Sequence, residues 1–503
     1  MELKYTGRKG YELCILIIEE YFGKNAVAVA KILMKMPCAI DLNELVQLVN
    51  LPPIEVRKLL RIFLRFDIVT FTIEEKSRIV YKIHSPAILK LLRYAEYVRV
   101  VLLLFGNVAE AVAFELLTSG KLSEVDCVNF TFQRLSKSIH LIYTTKSEVQ
   151  QMFSNLVHCK IIKQCGVFNW SLVEDDSSVC LNQYRASNSE SRMKKVIYWS
   201  VNFDFIENCL RQKLILDFIT DRYDKTAAEV FCFMTHVNEI DPCRNKRSNL
   251  ISHSEILKKY PGSSTVKAEL PHYFDMFAND SVKLISVNTT VGSRTYTIEY
   301  ASIFEHLCFT AITKLISQRI DPKAAQLFRL IHAENVVAQS ELEHKALMSH
   351  NDVARYSYIL TRDSFVEEIE LPGADANSSC ISFLTVDRKQ AAKRALDETF
   401  RAIANCIHRR NAELTMQKEL LHREEKCHTV CEMIRNDEKL DAKEKERQIA
   451  ETKVSYITDA EKESLKNLNI SVKKLYALQE LLMHSLLLFE TSLQYFHIDE
   501  RNV

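Results

Sequence analysis

Glycine is scarce in this chain, with 9 residues in 503. No phosphate-cradling loop of the Gly-x-x-x-x-Gly-Lys-Ser/Thr or Gly-x-Gly-x-x-Gly type occurs, nor does a Gly-x-Ser-x-Gly elbow or a His-Glu-x-x-His helix. These absences argue against nucleotide-hydrolysing and zincin-type enzymes. The 14 cysteines never form a Cys-x-x-Cys pair, which predicts reduced, buried thiols of the cytosol or nucleus. Met1–Tyr5 lacks a signal-type hydrophobic core, and the most apolar stretch, Val98–Phe114, is broken by Asn107 and Glu110. That stretch predicts an amphipathic helix and no membrane span. Excess charge is missing too: net charge is +1 and the pI about 7.5. A chain living mainly on phosphate contacts is usually far more basic, so any nucleic-acid contact is expected on a patch, with protein partners elsewhere.

Apolar residues are plentiful, at 47%, and 503 residues exceed what one core usually serves. The organising stretch is Asp41–His84. Leu42, Leu45, Val46 and Val49 follow helical spacing behind Asp41, a natural N-cap. Asn50 can end that helix, and Pro52-Pro53 turns the chain into a second one that buries Val56, Leu59, Leu60, Phe63 and Phe66. Two β-rich runs follow, Ile68–Ile73 and Ile79–His84, joined by polar residues as in a hairpin. Helix, turn, helix and two-stranded ribbon make a winged helix.

The same grammar recurs, giving a mainly α fold with small β wings (α+β): four tandem winged-helix domains, then a C-terminal antiparallel coiled-coil hairpin. The expected boundaries are 1–85, 86–173, a Ser/Asp/Asn-rich linker at 174–195, 196–300, 301–387 and 388–503. Pro271 sits inside the expected fourth helix of the third unit, where it kinks the helix or forces a later start. In the hairpin, Leu396, Phe400, Ile403, Ile407, Leu414 and Leu421 form one seam, interrupted by Arg410 and Gln417. A charged connector around Asn436–Arg447 precedes the better seam of Leu468, Val472, Leu475, Leu482, Leu486, Phe489 and Leu493. Gln479 lies on that seam and is expected to fix register at some cost in stability.

His422, Cys427, His428 and Cys431 resemble a metal set only in composition. On a continuous helix His428 points away from the two cysteines, so we expect ordinary helix residues, no metal and no cofactor. Arg57, Arg61 and Arg65 recur every four residues on the second helix of the first unit, with Lys58 beside them and Lys76 and Arg78 in the wing tip. They are expected to form an exposed stripe facing phosphates or an acidic partner. The other units lack such a stripe, so they are expected to bind protein or act as spacers.

Several segments in order resemble the third-largest subunit of RNA polymerase III, the tandem winged-helix member of its initiation heterotrimer. They are Leu92-Arg93-Tyr94-x-x-Tyr97, Glu115-Leu116-Leu117-x-x-Gly120-Lys121-Leu122, Tyr198–Phe205, Leu327–Ile331, Ile403–Arg410 and Leu465–Phe496. The resemblance implies a nuclear, non-catalytic subunit docked on the polymerase clamp beside a winged-helix subunit and an acidic-tailed subunit. It further implies help in promoter recruitment and opening, with promoter DNA, single strands included, as a partner. It carries no catalytic residues, so the Arg stripe rests on charge spacing alone. A free-standing transcription factor or winged-helix scaffold is the competing expectation; a transcription factor of that kind calls for several basic recognition helices and a basic pI.

Overall fold

Asp41 is extended, and its carboxylate accepts a hydrogen bond from Leu42 N at 2.6 Å, satisfying one of the donors left over where a helix starts. Asn50 closes that helix in the left-handed region, φ 53° and ψ 31°. Pro53 opens the next helix, where its missing N–H costs nothing. The first unit is thus α1 (Arg8–Phe22), α2 (Lys24–Lys35), β1 (Ile40–Asp41), α3 (Leu42–Val49), α4 (Pro53–Arg65), β2 (Val69–Glu74) and β3 (Arg78–Ile83). The ribbon expected from sequence is a three-stranded sheet, because Ile40 and Asp41 pair with Tyr81 and Val80. Two residues are too few to show a period. The computed structural model describes residues 7–36, 38–74, 78–136, 145–165, 197–237, 246–261, 264–290, 293–371, 381–436 and 442–499.

After the link α5 (Ser85–Leu91) the same order of elements returns three times. The second unit is α6 (Tyr94–Phe105), α7 (Asn107–Ser119), β4 (Leu122–Ser123), α8 (Glu124–Ser136), α9 (Lys146–His158), β5 (Ile162–Gln164) and β6 (Tyr198–Val201). The third is α10 (Phe203–Arg222), α11 (Lys225–Val237), β7 (Ile251–Ser252), α12 (His253–Lys259), α13 (Ser264–Asn279), β8 (Ile285–Thr290) and β9 (Ser293–Ile298). The fourth is α14 (Tyr300–Arg319), α15 (Pro322–Glu334), β10 (Val336–Ala338), α16 (Gln339–Ala346), α17 (His350–Arg362), β11 (Glu367–Leu371) and β12 (Ile381–Thr385). In every sheet the last strand is central: β1-β3-β2, β4-β6-β5, β7-β9-β8 and β10-β12-β11.

A second signature repeats with the strands. One residue after each fourth helix takes a positive φ, and a buried apolar pair follows. These are Asp67 (56°) before Ile68-Val69, Lys160 (61°) before Ile161-Ile162, Lys283 (54°) before Leu284-Ile285 and Ser364 (59°) before Phe365-Val366. Ile68 N, Ile161 N and Phe365 N reach back to Phe63, Leu156 and Leu360 O at 3.0, 3.0 and 2.9 Å. The helix end is capped and the chain reversed into the wing without a glycine.

Two expectations change here. Tyr198–Val201 is the central strand of the second sheet, pairing with both Leu122-Ser123 and Ile162–Gln164. The 174–195 segment therefore lies between two strands of the second unit and is no inter-unit linker. In the third unit α13 begins at Ser264 and runs through Pro271, so a later start is ruled out.

The C-terminal region has four helical segments where two were expected: α18 (Arg388–Met416), α19 (Lys418–Asn436), α20 (Ala442–Tyr456) and α21 (Asp459–Asp499). Helix resumes at Ala442, so Lys443–Arg447 is helical and only 437–441, outside the described residues, remains for the connector. The two legs run antiparallel: Ala391 and Phe496 line one cavity at the base, Arg410 meets Gln479, and Arg423 meets Glu461.

The base of this hairpin carries the cores. Leu396, Phe400, Ile403 and Ile407 of α18 join Met483, Leu486, Phe489 and Leu493 of α21 in one apolar cluster with the first and fourth units. Leu487 belongs to the core of the second unit, and Leu488 and Tyr495 to that of the third. One stretch of α21 thus contributes to all three of these apolar clusters. Of the expected seam, Leu468, Leu486, Phe489 and Leu493 are buried, whereas Val472, Leu475 and Leu482 are half-buried.

Candidate nucleic-acid interface and the joint behind it

Helix α4 is amphipathic by spacing, with Val56, Leu60, Phe63 and Leu64 buried against the unit. Its opposite face presents Ile54, Arg57, Lys58, Arg61, Ile62 and Arg65. Arg57, Lys58 and Arg65 are exposed and Arg61 is half-buried. Among the described residues no carboxylate pairs with Arg57, Lys58 or Arg61. Arg57 stands close enough to Tyr81 of β3 to oppose the rise that burial and Asp41 impose on its hydroxyl. Three cations on one free helix face form a patch that suits an anionic backbone.

The rest of the expected stripe does not join that patch. The carbonyl of Arg65 abuts the second unit: a Cβ on Gly120 (φ +78°) would lie 2.5 Å from it, so only glycine fits the turn. Lys121 Nζ donates to Leu64 O at 3.1 Å and to Asp67 Oδ1 at 2.5 Å, closing the same junction. Arg78 faces the start of α3, where it pairs with Glu44 of that helix at 2.6 Å and with Asp41 of β1 at 3.5 Å. The hydrogen bond to Glu44, more than any other contact, raises its guanidinium above the usual arginine range. Lys76 lies outside the described residues.

Sequence reasoning missed a buried joint where α5, α6, α10 and α21 meet. Arg93, 3% exposed, donates to Glu490 at 2.5 Å and to Glu207 at 3.4 Å. The Tyr97 hydroxyl donates to Glu207 at 2.9 Å, and Arg211 reaches Glu207 at 3.4 Å and Thr491 Oγ1 at 2.9 Å. Burial alone would raise the Glu207 carboxyl, but Lys90, Arg93, Arg211 and Tyr97 together hold it below the usual glutamate range. Tyr94 stacks on Phe203 with centroids 5.9 Å apart. The joint was partly visible: it uses Arg93, Tyr94, Tyr97 and Phe203 from the segments that carry the resemblance. Its acidic half comes from helices 110 and 397 residues further along the chain, which no local pattern links.

Two of the three polar residues on the hairpin seams, Arg410 and Gln479, meet each other. Arg410, 2% exposed, donates to Gln479 Oε1 at 2.9 Å and to Glu20 of α1 at 2.5 Å. Its guanidinium also lies 4.5 Å from the Tyr476 ring centroid. This pairing sets the register and ties it to the first unit. Gln417 is where α18 ends. Further out, Cys427 and Cys431 are buried with Ile457 and Leu465, while His422 and His428 face solvent beside Glu425 and Glu432. Among the described residues no three His, Cys, Asp or Glu side chains converge as metal ligands.

Comparisons with known proteins agree over the length of the chain. The model of the RNA polymerase III subunit RPC82 helix-turn-helix domain matches residues 12–74, and that of RNA polymerase III subunit RPC82 matches 145–307. The chain is 22% identical over 532 residues to DNA-directed RNA polymerase III subunit RPC3 of Bos taurus, covering 96% of this chain and 98% of that protein. The Mus musculus protein of the same name is 23% identical over 531 residues, covering 96% and 98%. That of Danio rerio is 19% identical over 469 residues, covering 83% and 87%.

Proposed function

We propose that the chain is a member of the RPC82/RPC3 family of RNA polymerase III subunits, and from that premise that it is a nuclear, non-catalytic subunit docked on the polymerase clamp. In this reading the four units are tandem winged helices and the C-terminal region is a coiled-coil hairpin that gathers them. Other RNA polymerase III subunits are its partners, among them a winged-helix subunit and an acidic-tailed subunit. With them it assists promoter recruitment and DNA opening. Arg57, Lys58 and Arg61 are the residues assigned to promoter DNA, as the basic face of the first unit's second helix-turn-helix helix.

The observation that carries the reading is end-to-end coverage: 96% of the chain aligns with 98% of the Bos taurus relative. A shared single domain on an unrelated scaffold would leave most of both chains unmatched. The test is affinity purification of the tagged chain from its own nucleus. The largest RNA polymerase III subunits should co-purify in equal amounts through a salt wash. Recovery of the chain free of polymerase would support a stand-alone winged-helix scaffold in its place.

A further inference from the structure

The fourth sheet ends on β11, whose outer edge pairs with nothing among the described residues. Every side chain from Glu367 to Glu370 is exposed, Ile369 to 43%. The strand overhangs its core: Glu368 lies opposite Leu384, which is buried, yet is itself in solvent. Ile369 lies opposite Phe383, half-buried, so these two share the other face. Among the described residues no cation pairs with Glu367, Glu368 or Glu370, and residues 372–380 contain no Lys or Arg.

The repeat makes this edge distinctive. After the buried pair that starts each wing, the corresponding four residues are Thr70–Ile73, 163–166 and Ser286–Thr289 in the other units, none of them acidic. Carboxylates on this strand repel a nucleic-acid backbone, and they repel the same strand of a second copy. An edge strand still offers free backbone N–H and C=O groups that template another strand. We propose that β11 receives a strand of a partner polypeptide in which lysine or arginine alternates with apolar residues. Its cations then meet Glu368 and Glu370 on one face of the strand, and its apolar side chains cover Ile369 on the other. This surface is independent of the nucleic-acid assignment on α4.

The experiment uses the full chain and three synthetic heptapeptides: alternating Lys-Val, the same peptide N-methylated at every second amide, and alternating Glu-Val. The Lys-Val peptide should bind and slow amide exchange across 367–371, with the methylated and acidic peptides at least about tenfold weaker. Replacing Glu368 and Glu370 by Gln together should cost the Lys-Val peptide about tenfold, with exchange elsewhere unchanged. Equal binding of the methylated peptide would reduce the effect to charge attraction and overturn the proposal. Unslowed exchange at 367–371, or no binding by any peptide, would overturn it as well.

Discussion

The first and fourth units follow one plan and share one apolar cluster with the hairpin base, yet their surfaces are opposite in sign. Residues 1–85 hold 13 Lys or Arg against 10 Asp or Glu, whereas 301–387 hold 7 against 12. On the fourth helix of each, the first unit presents Arg57, Lys58 and Arg61, and the fourth presents Arg355 and an exposed Tyr358. The fold decides where a helix face and a wing edge stand; the surface residues decide which partner each takes. A near-neutral whole thus conceals one unit suited to anions and another suited to cations.

The strongest way to break this comparison is to separate the two units from their common post. Phe489, 2% exposed, lies in the cluster that joins them. Phe489→Asp places a charge there and should cost on the order of 5 kcal/mol. Amide exchange should rise in α1 and α15 together, and co-purification with the polymerase should be lost. A rise confined to one unit would show that the shared core is two cores. Leu482→Asp, at a half-buried position, should act in the same direction and more weakly.

A smaller effect is expected at the joint, which holds the second and third units and should leave the first and fourth intact. Glu490→Ala strips Arg93 of its nearest carboxylate, and breaking such a buried pair costs about 3–5 kcal/mol. Exchange should rise first in α6 and α10. The joint also has an acid limb. Glu207 is held below its ordinary range in the fold, so its contribution is complete above the unfolded carboxyl value of about 4.3 and is lost as pH falls through the lower folded value. Glu207→Gln should flatten that limb in acid-denaturation curves; an unchanged limb would assign the acid loss to other groups.

What could be read in the sequence divides along the same lines as these energies. Asp41, Asn50 and Pro53 act locally, and each marks an element end by its own chemistry, so the helices of the first unit were legible. The strands Ile40-Asp41 and Leu122-Ser123 were not, because two residues carry no period. Tyr198–Val201 was assigned to the wrong unit because its partners precede it across a long polar segment. The left-handed turns at Asp67, Lys160, Lys283 and Ser364 escaped notice for want of glycine. Arg410 and Gln479 looked like separate flaws in two seams, and only the antiparallel register shows them to be one contact. On α4 the charge spacing was legible, but the contact of Arg65 with Gly120 and the pairing of Arg78 with α3 depend on neighbours that spacing does not reveal.

The DNA assignment sharpens the contrast with a still smaller energetic effect. Replacing Arg57, Lys58 and Arg61 by Gln leaves the core face of α4 untouched, so the thermal midpoint should hold. The salt dependence of DNA affinity should flatten by about one unit for each phosphate that is no longer neutralised, alike for all sequences. Arg355→Gln in the fourth unit should leave that slope unchanged. Equal slopes for all three proteins would make the α4 patch a solvated face; loss of a protein subunit with no change in slope would assign it to an acidic partner.

The smallest effect is expected at Arg78, and it tests whether structure or spacing decides membership of the patch. By sequence Arg78 belongs with Arg57 and Arg61, since all are cations of one helix–wing unit. In the fold its guanidinium is engaged by Glu44 and Asp41 across α3 and β1. A cation already neutralised by two carboxylates releases few counterions on meeting DNA, and an exposed pair of this kind contributes little to stability. Arg78→Ala should therefore change neither the thermal midpoint nor the salt slope, although it removes a positive charge from the same unit. A slope reduced as much as by Arg57→Gln would mean that Arg78 leaves its carboxylates for phosphate in the bound state. The patch would then extend from α4 onto the wing, and the distinction between free and engaged cations on the first unit would fail.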